Sequence, residues 1–250
     1  MRSHVFNSLI GVSVLLLMFN SSLSSGAITQ ADVGVSTGDT FGLKVTDMTG
    51  LLSQFKNEVI TMGNHTLLAN ETVNFKVTDA TLNNVSIAVQ VSTQNGTFDG
   101  MIPLDVFGSP IVNTNWGAWA NQLDSLKTLV AGAMTLLNDS NPLNVNIPNF
   151  TYETTLTTGD KLVSVALTGK ADDGSQLTLN ISYKKDTGVM NEVVMGLLIK
   201  NNVLDVTGGV TVQNTNYVTD TTSKAAPGFG LALTFASLLI MIPILRRRFK

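Results

Sequence analysis

The sequence contains no cysteine. Disulfides, zinc–thiolate centres and cysteine nucleophiles are therefore excluded together, and stability has to come from an ordinary packed core. Charge is also sparse, at 13% of residues, and arginine is confined to the two chain ends, at Arg2 and Arg246–Arg248. Between residues 28 and 227 the basic residues are 10 lysines against 18 acids, a balance of −8. Arginine is the usual donor for bidentate phosphate and base contacts, so an acidic stretch without one is a poor nucleic-acid binder. Histidine is nearly absent too: His65 is the one such residue in that stretch. A histidine-rich metal site is thus excluded. His65 lies inside an Asn-x-Thr sequon, a poor place for a positioned catalytic imidazole. No phosphate-binding glycine loop, dinucleotide fingerprint or Gly-x-Ser-x-Gly elbow stands in a usable context. Carboxylate-pair chemistry stays open, since any two of the acids can meet in a fold, but most fall in turns or on wet strand faces. The reading is a protein without enzymatic activity, and no metal or cofactor is expected.

Two long apolar runs are present, one at each end. Residues 9–19, "LIGVSVLLLMF", follow Arg2 and are too short for a stable span. With the small residues "SGA" at 25–27 they read as a signal peptide over 1–27, with the mature chain starting near Ile28. An uncleaved N-terminal anchor is the alternative. Phe229 to Leu245 is the second run, seventeen residues without a charge. At about 1.5 Å per residue this is the lower limit for crossing a bilayer core. Arg246, Arg247 and Arg248, with Lys250, read as a stop-transfer cluster kept on the cytoplasmic side. The expected order is a signal at 1–27, an exported domain at 28–213, a Thr-rich stalk at 214–228, a transmembrane or sorting helix at 229–245 and a basic tail at 246–250.

Pro227–Gly228–Phe229 stands at the mouth of the second run. Tripeptide, short span, arginine cluster and chain end in that order resemble the PGF-type C-terminal sorting signal of archaeal surface proteins. That resemblance covers about 24 residues and does not extend to the exported domain. It implies an archaeal source, an archaeosortase as processing partner, removal of the tail near the tripeptide and a lipid in its place, as in tail-for-lipid exchange generally. A plain retained anchor is the alternative. Either way the partners are the membrane and other envelope proteins, and the domain stands on the outer face of the cell membrane.

The exported part carries seven Asn-x-Ser/Thr sequons, at Asn64, Asn70, Asn84, Asn95, Asn138, Asn149 and Asn180, none with proline in the middle. They are the candidate N-glycosylation sites. Period-two alternation marks half-buried antiparallel strands in "NNVSIAVQVST", "QLTLNISYK" and "TVNFKVT", with Asn84 and Asn180 on wet faces. Asn95–Gly96 signals a hairpin. Turn residues separate runs at 161–170, 176–184, 189–200 and 203–213, which predicts a four-stranded meander. Asp172–Asp173–Gly174 reads as a turn, since two carboxylates fall short of the oxygens calcium needs. Lys44–Asp47 and Lys76–Asp79 both read Lys-Val-Thr-Asp, which suggests two strand ends entering turns.

One segment has helical spacing. Trp116, Trp119, Leu123, Leu126, Val130, Ala133 and Leu137 form one stripe, predicting a helix over 115–138, and a shorter helical piece fits 50–58. The expected fold is mainly β with this one long helix, a curved antiparallel sheet packed on it. Trp116, Trp119 and Leu123 then have two readings: simple cover for the sheet, or one wall of a groove for an apolar ligand. The second makes the domain a binding module or carrier, in loose likeness to bacterial lipoprotein-carrier folds.

Overall fold

The computed structural model describes residues 28–50, 53, 59–62, 65–68, 71–94, 96–140, 147–200 and 205–218. Among these, alternating apolar and polar residues build eleven strands: β1 (Thr40–Gly50), β2 (Val59–Met62), β3 (His65–Leu68), β4 (Thr72–Asn83), β5 (Ser86–Thr93), β6 (Gly96–Pro103), β7 (Thr151–Thr158), β8 (Leu162–Lys170), β9 (Gln176–Lys184), β10 (Met190–Ile199) and β11 (Val206–Val218). Two helices, α1 (Trp116–Ala120) and α2 (Leu123–Ser140), lie between β6 and β7. Nine strands form one sheet in the order β6-β5-β4-β1-β11-β10-β9-β8-β7, while β2 and β3 pair separately. Every pairing is antiparallel. The fold is mainly antiparallel β, and β8 to β11 form the expected meander.

Period-two side chains put one face of this sheet inside. In β9, Leu177, Leu179 and Ile181 are buried while Gln176, Thr178 and Asn180 are exposed. In β8, Val163, Val165 and Leu167 are buried beside them. One core gathers Val165, Leu167, Leu177, Leu179 and Ile181 with Met195 and Val210 and receives Trp119, Leu126, Val130 and Met134 from the helices. A second core lies under the other wing: Phe75, Val77, Ile87, Val89, Val91 and Ile102 are covered by Val35, Leu104 and Ile111. Phe41 and Phe75, directly paired across β1 and β4, stack with centroids 4.9 Å apart. Such a pair adds about 0.5–1.5 kcal/mol beyond its burial.

Three expectations need correction. Helix 115–138 is broken at Asn121–Gln122, where the Asn121 N–H donates to Ala118 O and the Gln122 N–H to Trp119 O. These three-residue closures are tighter than α-helical turns and end α1 before α2 begins. The two Lys-Val-Thr-Asp copies lie inside β1 and β4, not at strand ends. Both carry a bulge at the threonine: Val45 pairs Val212 and Asp47 pairs Thr211, and likewise Val77 pairs Val89 and Asp79 pairs Ala88. A bulge bends its strand and deepens the twist, so the echo marks two places where the sheet curves. Finally, β11 runs on to Val218 against Thr40. Residues 214–218, read as stalk from their lack of apolar periodicity, are sheet, because the β1 edge supplies backbone partners whatever the side chains. The helical piece at 50–58 falls almost wholly outside the described residues.

The sheet has two distinct ends. At one lie the starts of β1, β5, β8 and β10, the ends of β4, β6, β7 and β9, and Val218, where β11 finishes. Residues 28–39 and 104–115 join this end: the Leu104 N–H donates to Val85 O, the Gly38 N–H to Val77 O and the Thr114 N–H to Asp32 O. At the opposite end lie Gly50, the start of β4, the Thr93–Gly96 hairpin, the start of β7 and the 171–175 turn.

Candidate functional site

The aromatic stripe is the first place where chemistry was expected. Asn115 caps α1 through its side chain, which accepts from the Ala118 N–H at 3.2 Å. This cap fixes the entry of the helix, and Trp119 then points inward and is 1% exposed. Its ring lies 4.2 Å from that of Phe107, tilted by 52°. Its indole N–H donates to Asn113 O at 2.9 Å. Asn113 is itself fully buried: its amide donates to Leu104 O at 2.9 Å, and its Oδ1 accepts from the Asn115 N–H at 3.1 Å. Trp119 is thus a core residue and not a groove wall. Trp116 and Leu123 are half-buried. The Trp116 indole donates to Lys185 O at 2.9 Å, and its ring sits 6.1 Å from Tyr183. Tyr183 is wholly buried, its hydroxyl accepting from the Gly108 N–H at 2.8 Å. Burial pushes that phenol well above its ordinary pKa.

Two buried polar side chains carry atoms without a hydrogen-bond partner. Asp105 is 7% exposed and its Oδ1 has no hydrogen-bond partner; Gln122 is 6% exposed and neither side-chain amide atom has one. Burial raises the Asp105 pKa, with its own backbone N–H partly opposing the shift. Sequence reasoning missed both. The signal for Gln122 is its place in the stripe, three residues after Trp119 and four before Leu126. For Asp105 it is the apolar run "MIPLDVF" that surrounds it.

The sequons separate by placement. Asn180 is exposed in β9, its cross-strand neighbours on the wet face being Ala166 and Val194. Asn149 is exposed two residues before β7. Asn138 belongs to the last turn of α2. Asn84 is exposed but sits in the β4–β5 turn, not in a strand, with φ at +56°. Asparagine tolerates that left-handed conformation better than other residues with a Cβ, which accounts for it there without a glycan. Asn64, Asn70 and Asn95 lie outside the described residues, as do Pro227, Gly228, Phe229, Arg246, Arg247 and Arg248.

The 171–175 turn is self-contained. The Ser175 N–H donates to Asp173 Oδ1 at 2.8 Å, and the buried Ser175 hydroxyl accepts from the Lys200 N–H at 2.8 Å. Among the described residues no group of three or more His, Asp or Glu could hold a metal ion, and no helix is long and apolar enough to cross a membrane.

Comparison with protein families, with curated proteins and with solved structures returns no match to this chain.

Proposed function

We propose that the chain is a non-enzymatic, N-glycosylated domain of the cell surface, carried on the outer face of the membrane by its C-terminal segment. The observation behind this reading is the order of parts. A curved sheet that closes its own core ends at Val218, and Pro227–Gly228–Phe229, seventeen uncharged residues and an arginine cluster follow within 32 residues. The tail's likeness to a PGF-type sorting signal adds processing by an archaeosortase and a role beside other envelope proteins. The packing of Trp119, Leu126 and Val130 against β8 to β11 favours this reading over an apolar-ligand carrier, because the helix stripe is spent on covering the sheet.

The test is fractionation of the full chain against a chain stopped at residue 226. The full chain is expected with the membranes and to resist an alkaline wash. The shortened chain is expected in the medium. Full-length protein released by the wash contradicts an integral anchor.

A further inference from the structure

We propose that the end of the sheet from which the chain leaves at Val218 rests against the lipid surface, with Val85 and Leu162 as its contact points and the opposite end turned outward. This rests on the anchored reading above and adds an orientation to it.

The first argument is reach. From Val218 to Phe229 is eleven residue steps. Fully drawn out, that is about 36–40 Å. β11 has 13 residues, so the sheet is about 40 Å long in this direction. The linker could bring the far end to the membrane only by lying straight along the whole strand, which forfeits nearly all its conformational freedom. The chain's other exit agrees: Ile28, next to the expected signal cleavage, packs into the core of the same wing that residues 28–39 close, at the Val218 end.

The second argument is the surface itself. Val85, in the β4–β5 turn, and Leu162, at the start of β8, are each 38% exposed. Both lie at the Val218 end, and the half-buried Trp116 lies there with them. Val194, the third large apolar residue exposed to this degree among the described residues, is on the sheet's outer face in β10. Lys76, Lys161, Lys184 and Lys185 at this end are offset by Asp32, Asp79, Asp160 and Asp186. Contact is therefore apolar and interfacial, and does not require anionic lipid.

The third is the sequons. Asn149 is exposed and precedes β7, a strand that starts at the far end. Bulky solvated glycans fit an outward-facing end. Asn84, beside Val85, lies at the near end, and its left-handed turn already explains it; Asn180 sits within β9, between the two ends.

The absence of cysteine makes the experiment direct. Four single-cysteine variants of the full chain, V85C, L162C, T97C and D172C, carry an environment-sensitive fluorophore and are reconstituted into phosphatidylcholine vesicles containing a headgroup-level nitroxide lipid. Two positions report on each end, so one misfolded variant does not decide the result. Loss of fluorescence is expected at 85 and 162 and not at 97 and 172. Quenching at 97 and 172, or at none of the four while the chain still floats with the vesicles, overturns the orientation and leaves the anchor intact. Failure to float at all overturns the anchor and the orientation together.

Discussion

Asp105 is buried where a carboxylate is poorly solvated, and the consequence is a pH dependence with a definite sign. Its folded pKa is raised, so between the unfolded and the folded value the native state holds a proton that the unfolded chain has already lost. The favourable term is fully present below the unfolded value of 3.8 and fades as pH rises through the folded value. Asp105→Asn keeps the shape and removes the charge. Chemical denaturation of the two proteins at pH 4 and pH 7 is expected to give an advantage to the asparagine variant that grows with pH. A constant difference would mean that the carboxylate is solvated. Gly188 makes a second residue-scale prediction. Its φ is +66°, and a Cβ there would collide with the carbonyl of Val112. Gly188→Ala is expected to cost about 1–3 kcal/mol, read from the same denaturation curves. Asn84→Gly, by contrast, keeps the left-handed turn and is expected to leave stability within about 0.5 kcal/mol, with no loss of glycan mass if the Asn84 sequon is unoccupied.

Among the elements, the two short helices divide the work unevenly. Trp119 is enclosed by Phe107 and the sheet, whereas Trp116 keeps one side in solvent. Truncation to alanine is expected to cost about 3–5 kcal/mol at Trp119 and clearly less at Trp116. Equal costs would contradict the packing described. This difference was not legible beforehand. A stripe with period 3.6 tells which residues share a helix face, and both tryptophans share it. The break at Asn121–Gln122 and the Asn113 carbonyl waiting for the indole of Trp119 come from contacts with the 104–115 segment, which has no periodicity of its own. The strands were far more readable, because each has one wet face and one dry one. β8, β9 and β10 could be placed to within a residue or two from alternation and turn residues alone. β11 was cut short at 213 because "NTNYV" lacks apolar alternation and is held in the sheet by its pairing with β1 and by the Asn214 amide donating to Met190 O. The same limit hid the bulges. The Lys-Val-Thr-Asp echo was visible, but nothing in four residues says that the threonine is the one left over in the ladder.

For the whole molecule, the proposed address rests on the sequence and the proposed orientation on the fold. The apolar tail and the tripeptide could be read from composition and order, with no structure needed. Which end of the sheet would face the membrane on that reading could not, because it depends on a nine-strand order that puts Val85, Leu162 and Val218 at one end from three distant parts of the chain. The buried Asp105 was likewise out of reach, because burial of a polar side chain in a loop leaves no periodic trace, and Gln122 showed only in its place on the stripe of α1 and α2. The central claim is that the C-terminal segment is an address exchanged for a lipid. The most direct measurement is the mass of the C-terminal peptide of native protein extracted from membranes. The account predicts a peptide ending near Pro227 or Gly228 with added lipid mass. A peptide running intact through Arg248 would contradict it and make the tail a permanent transmembrane anchor.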